Sequence, residues 1–245
     1  MNMLFNISAV AKSLTQRVKM ATLLVQHGMS PYLIGIEKFI AILLGRRVPV
    51  RPAPQAATSG DVIYLPPQEL NEQGKLIYMG KALHETAHIL IGSDFNHFKV
   101  IQQTHKHGSL IARLINITDD IRVENGLQQK YPRVVEITRP YWQWKEAEVL
   151  PDIDEPQVLS SDLVMLIMNV GVLFIARCRF RQLGLTMTYQ PNPLVSRVYD
   201  DYFLDLEDEA IAQVVYQDSV DLAFKLYERI KDMIRDDIQP PAPPQ

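Results

Sequence analysis

The chain has 245 residues, of which 47% are hydrophobic and 22% charged, and 25 Lys and Arg against 28 Asp and Glu leave a net charge of −3. This composition excludes a largely disordered or fibrous protein. The near-neutral balance argues against nucleic acid or an anionic membrane surface as a partner. Cys178 is the only cysteine, which excludes an internal disulfide and a cysteine-based zinc cluster. A reducing, cytoplasmic location is therefore expected.

Hydrophobic periodicity and turn residues predict a mainly helical chain with one small β element. The first half of the chain is expected to contain two helices between Asn6 and Leu44, a β-hairpin between Arg47 and Pro67, a helix from about Gly74 or Lys75 to Ile91, followed by Gly92, and a loop from Ser93 to Gly108. A helix from Leu110 to about Lys130 and an irregular segment around Trp142 and Trp144 follow. The rest is expected to contain two long helices, Ser161–Leu183 and Asp208–Ile238, with a connection at Tyr189–Pro193 between them.

These elements predict an α+β fold, mainly α-helical, in which a small hairpin or sheet packs beside the helix that ends at Ile91. The remainder is expected to be a helical bundle. A single domain is predicted at residues 1–238, followed by a disordered Pro-rich tail at residues 239–245.

The longest apolar run, Leu163–Ala176, is shorter than the ~20 residues that span a bilayer, so no membrane span is predicted. Three alternate arginines, Arg177, Arg179 and Arg181, follow this run. Alternate residues do not line one face of a helix. They are therefore interpreted as the exposed basic end of a helix, where cations complement the helix dipole.

The sequence His84-Glu85-Thr86-Ala87-His88 is an H-E-x-x-H pattern within a predicted helix. Residues four apart lie on one helical face, so both imidazoles can reach one zinc ion. Glu85 stands beside the pair, where it can take a proton from a metal-bound water. The alternative is a chance coincidence of these residues on an amphipathic helix.

Catalytic zinc commonly has three protein ligands, so another segment must supply the third. On the next helix, Asp120 and Glu124 project at the edge of the apolar stripe with Asn116 one turn earlier, whereas Asp119 projects about 160° from the stripe and is expected to face solvent. Asp120 is predicted to be the third ligand, and Glu124 to accept a hydrogen bond from a metal-bound histidine. The two roles are interchangeable, and the alternative for both acids is a surface carboxylate pair near Arg122.

Other polar residues offer further candidates. His97, His105 and His107 lie between the two helices, and any of them is an alternative to Asp120 as a ligand. Tyr131, just past the second helix, is a candidate for stabilising an oxyanion. The sequence assigns no other residue to the stabilisation of an oxyanion.

A strand reading DVIYLPP, then HETAH, then NITDDIRVE resembles the metallopeptidase-like region found upstream of von Willebrand A domains in cobaltochelatase-subunit-like and phage-encoded proteins. The resemblance covers about Val48–Glu124. The downstream motif of that region, N-x-x-E-D-x-R-x-E, corresponds here to Asn116, Asp119, Asp120, Arg122 and Glu124. More distantly, the pattern is similar to zincin metallopeptidases in which an acidic ligand is followed four residues later by a second acid.

The resemblance implies a zincin-like fold with Zn²⁺ held by His84, His88 and Asp120, and with Asn116 and Glu124 in supporting positions. The expected activity is zinc-dependent hydrolysis of peptide bonds, in which Glu85 is the general base on a zinc-bound water and a peptide or protein is the substrate. Two alternatives are a non-catalytic metal-binding scaffold with a protein partner and a phage-type assembly protein.

Overall fold

The computed structural model describes residues 31–66, 71–153 and 163–233. The chain divides into two compact units, residues 1–90 and residues 91–245, which are described in turn. The described residues are mainly helical with one three-stranded sheet, which confirms the predicted α+β, mainly α class. The predicted first helix near Asn6 and the predicted tail at residues 239–245 lie outside the described residues.

In its described residues, 31–66 and 71–90, the first unit contains a small sheet and two helices. Its elements are α1 (Pro31–Leu44), β1 (Val50–Pro52), β2 (Ala57–Thr58), β3 (Ile63–Leu65) and α2 (Glu72–Ile91), of which the last residue belongs to the second unit. The strand order is β1-β3-β2. The predicted hairpin joined the segments that contain β1 and β3, and this prediction is wrong, because these two strands pair in parallel. The antiparallel partner of β3 is β2, which lies in the predicted connection.

The sheet, α1 and α2 enclose one hydrophobic core. Ile63 and Leu65 of β3 are fully buried and pack with Tyr78 and Ala82 of α2. Helix α2 ends at Ile91 as predicted, and Gly92 follows it with φ +86°, the left-handed conformation that glycine adopts at a helix C-terminus.

The second unit is helical in the residues that the structure describes, 91–153 and 163–233. Its helices are α3 (Phe95–Thr104), α4 (Gly108–Lys130), α5 (Val135–Glu148), α6 (Leu150–Ile153), α7 (Leu163–Gln182), α8 (Pro193–Tyr202), α9 (Glu207–Ala212) and α10 (Tyr216–Ile230), with 3₁₀ turns at Pro132–Val134, Leu204–Leu206 and Lys231–Met233. Helix α4 is central, because α3, α7, α9 and α10 all pack against it. Fourteen of its 23 residues are buried.

Two segments predicted to be irregular are helical instead. The predicted loop at Ser93–Gly108 contains α3, whose first turn is capped by the Asp94 carboxylate through the backbone N–H groups of Asn96 and His97, each at 3.0 Å. The segment around Trp142 lies in α5, which continues through Pro140. Tertiary packing of its buried aromatic side chains outweighs the local helix-breaking signal.

The predicted helix Asp208–Ile238 is also wrong, because α9 and α10 are separate helices. The Asp218 carboxylate accepts hydrogen bonds from the backbone N–H groups of Val214 (2.8 Å) and Val215 (2.9 Å) and so begins a new helix. These bonds lower the pKa of Asp218. Helix α8, which was not predicted, begins within the connection at Tyr189–Pro193, where Asn192 caps it.

Helix α7 is the one helix in the described part of the chain that is long and apolar enough to cross a membrane. Of its apolar window, 61% is buried inside the protein. Core helices also have this length, composition and extent of burial, so the absence of a membrane span stays a prediction.

Gly171 sets the approach of α7 to α4, because a Cβ there would lie 2.3 Å from Cδ1 of Ile117. We expect Gly171→Ala to lower the free energy of unfolding by about 1–3 kcal/mol. In an Ile117→Ala background the clash is gone, and we expect the same change to be neutral or to stabilise by up to about 1 kcal/mol, since alanine is the better helix former. Urea unfolding of this double-mutant cycle measures the difference. Equal destabilisation in both backgrounds would contradict the close approach.

Candidate metal centre

The two histidines of the H-E-x-x-H pattern lie one turn apart near the C-terminal end of α2. Their ring centroids are 5.0 Å apart, and the ring planes are nearly perpendicular, at 87°. His88 is buried and His84 is partly buried. The unbroken helix therefore presents both imidazoles on one face, as the spacing predicts.

The third functional position of the pattern, Glu85, is only 6% exposed. At 100° per residue, the histidines lie about 120° around α2 from the stripe of Tyr78, Ala82 and Ile89 that faces the sheet, and Glu85 lies between the two, about 80° from the histidine pair. A carboxylate in this position is removed from bulk water, which strengthens its interaction with a nearby proton donor.

Asp120 of α4 is partly buried, and Asn116 lies one turn before it on the exposed side. The Asn116 amide nitrogen is 3.5 Å from each carboxylate oxygen of Asp120. The predicted alignment of these two residues along α4 is therefore present. At this distance the amide contributes only a weak hydrogen bond to holding the carboxylate.

Asp119 is not exposed, and the prediction that it faces solvent is wrong. Its side chain is fully buried, where it accepts hydrogen bonds from Arg122 Nε at 2.8 Å and from Ser93 Oγ at 2.5 Å. The prediction assumed one buried face, but helices pack around most of α4. The Arg122 guanidinium, itself 2% exposed, supplies the charge that makes this burial tolerable.

Arg122 also holds the end of the helix that carries the histidines. Its Nη2 donates to the carbonyl oxygen of Gly92 at 3.0 Å, and its Nη1 lies 3.4 Å from that of Ile91. These carbonyls are among those that a helix leaves without partners at its C-terminus. The Asp119–Arg122 pair therefore joins α4 to the last residue of α2, three positions after His88.

Glu124 lies in a second buried ionic cluster. Its Oε2 accepts a hydrogen bond from Trp142 Nε1 at 2.9 Å and lies 2.6 Å from Arg179 Nε. Arg179 is fully buried, so its interpretation as part of an exposed helix end is wrong. Arg181 is exposed, as this interpretation predicts, and it pairs with Glu207 and Asp208. The hydrogen bond from a metal-bound histidine to Glu124 stays a prediction.

The sequence alone did not identify Trp142 and Arg179 as part of the site. The arginine is 55 positions from Glu124, and no local pattern connects them. One signal was present, since Arg179 stands between Cys178 and Phe180 in a strongly apolar helix. A charge in such surroundings needs a buried partner.

The three alternative histidines pack on aromatic rings of α10. His97 lies against Tyr216 (5.8 Å between ring centroids) and His105 against Phe224 (5.4 Å). Nδ1 of His107 is 2.8 Å from the Tyr227 hydroxyl. These contacts give all three histidines a packing role.

Tyr131 ends α4, and its backbone N–H donates to Leu127 O at 2.8 Å. Its proposed action on a substrate stays a prediction.

Comparisons with family models, with curated proteins and with solved structures find no match to this chain.

Neighbouring acids of α4 should respond differently to neutralisation. We expect Asp119→Asn to lower the free energy of unfolding by about 3–5 kcal/mol, because it leaves the Arg122 charge buried and uncompensated. Asp120→Asn is the matched control, expected to cost about 1 kcal/mol or less at a partly buried position. Urea unfolding followed by circular dichroism measures both. Equal losses would contradict the different environments of the two acids.

Proposed function

We propose that this protein is a zinc-dependent metallopeptidase of zincin type, in which His84, His88 and Asp120 hold Zn²⁺. The observation that carries the proposal is the histidine pair, whose ring centroids are 5.0 Å apart on one face of α2 with Glu85 buried beside it. Two imidazoles and one carboxylate are a ligand set typical of catalytic zinc.

The choice of Asp120 as third ligand has two supports. Asp120 and the two histidines form a group that can hold a metal ion, and each residue offers one ligand atom. In addition, Arg122, two residues after Asp120, binds the carbonyl at the end of the histidine-bearing helix.

Glu85 favours an enzyme over a structural metal site. Three protein ligands leave a coordination position for water or substrate, whereas structural sites close all four. When bound, zinc would polarise the peptide carbonyl and make a water molecule more acidic. The Glu85 carboxylate would accept a proton from the attacking water and deliver it to the leaving nitrogen, so that the peptide is cut into an acid and an amine.

Glu124 would act indirectly, by fixing an imidazole of the pair. Because Trp142 and Arg179 both contact Oε2, accepting a hydrogen bond from a histidine would fall to Oε1. Such contacts set the tautomer and the orientation of a metal ligand.

A peptide or protein in the cytoplasm is the proposed substrate.

The metal site predicts about one zinc per chain in protein purified without a metal-affinity tag. We expect the His84→Ala/His88→Ala variant to lose the metal and Asp120→Ala to bind it at least about tenfold more weakly. The matched control is His97→Ala/His105→Ala, which removes two histidines packed on α10 and should keep the metal. Elemental analysis measures all four proteins. A wild type that takes up no zinc would refute the site.

The mechanism predicts that Glu85→Gln keeps the zinc but lowers peptide hydrolysis by about 10²–10⁴-fold, because the amide cannot accept the proton. Glu72→Gln is the matched control, since Glu72 is an exposed acid on the same helix. Mass spectrometry of a mixed peptide library after incubation measures the cleavage. A zinc-loaded wild type that leaves every peptide intact would favour the metal-binding scaffold instead.

A further inference from the structure

Lys145 of α5 lies over aromatic rings beside the acids of α4. Its Nζ is 4.0 Å from the centroid of the Trp142 ring and 5.4 Å from that of Tyr141. The same Trp142 donates its indole N–H to Glu124. Lys145 is therefore held next to the Glu124 cluster by stacking on a residue that is itself fixed by a hydrogen bond.

The Lys145 ammonium has no hydrogen-bond or ion-pair partner among the residues that the structure describes. Glu124, the nearby acid, is already in contact with Arg179. Asp120 is the proposed metal ligand. A partly buried ammonium without its own carboxylate keeps its hydrogen-bond donors for another acceptor.

The electrostatic surroundings favour an anionic acceptor. The largest effect on the pKa of Lys145 is burial, which lowers it. The negative charges of Glu124 and Asp120 raise this pKa, and the positive charge of Arg179 lowers it. A negative charge that arrives beside the ammonium would stabilise its protonated form. Aromatic rings restrict the ammonium position without neutralising its charge.

We propose that Lys145 donates a hydrogen bond to the carbonyl oxygen of the scissile peptide and stabilises the negative charge that develops there. As the water oxygen bonds to the carbonyl carbon, the π electron pair moves to the carbonyl oxygen, and Lys145 keeps its proton while it holds that oxygen. The inference rests on the proposed function, because Lys145 is next to Glu124 through Trp142, and Asp120, the proposed metal ligand, lies one turn before Glu124 on α4.

The test measures anion binding by the zinc-loaded protein. Calorimetry follows an N-phosphoryl dipeptide, whose tetrahedral phosphoryl group imitates the charged intermediate, and imidazole, a neutral metal ligand. We expect Lys145→Met to weaken binding of the phosphoryl dipeptide by about tenfold or more and to lower kcat for peptide hydrolysis about 100-fold. Zinc content and imidazole binding should be unchanged. Lys145→Arg should keep most of the affinity, since it keeps the charge. Lys99→Met, at an exposed lysine of α3, is the matched control.

The outcomes separate this inference from the proposed function. Unchanged phosphoryl dipeptide affinity in zinc-loaded Lys145→Met overturns the role of Lys145 and leaves the metal site standing. A zinc-loaded wild type that does not bind the phosphoryl dipeptide also overturns the role of Lys145 and leaves the metal site standing. A wild type that binds no zinc overturns the metal site and this inference with it.

Discussion

Charge compensation inside the core of the second unit is the constraint on which the candidate site depends. Helix α4 places Asp119 and Glu124 where water is excluded, and each is stable there because an arginine lies against it. An uncompensated buried carboxylate would cost several kcal/mol. The two arginines therefore fix both carboxylates of α4 within the core.

Trp142 organises the other side of the same region with two different parts of one side chain. Its indole N–H binds the anion Glu124, and the face of its ring lies under the cation Lys145. Tryptophan suits this position, because the ring edge is a hydrogen-bond donor and the ring face carries partial negative charge. Helix α5 thereby connects a structural ion pair with a cation that is proposed to meet the substrate.

Local signals were sufficient for much of the fold. Residues that are close in sequence determine three of its features: the end of α2 before Gly92, the end of α4 before Pro132, and the common face of the two histidines in the H-E-x-x-H pattern. The burial of Asp119 could not be predicted, because a helical wheel assumes one buried face and α4 has neighbours on most sides. The Glu124–Arg179 pair joins distant positions, and the parallel pairing of β1 with β3 depends on a register that no turn residue specifies.

The contact of Arg122 with two carbonyl groups beyond its acid partner has a consequence for sequence variation. Ser93, Asp119 and Arg122 share one buried set of hydrogen bonds, so a change at one position leaves a polar group at another without its partner. Homologous chains that keep this helix junction are therefore expected to covary at these positions, exchanging the whole set together. Asn116, exposed on the same helix, contacts Asp120 and lies outside this set of hydrogen bonds, so it is expected to vary independently of these three positions.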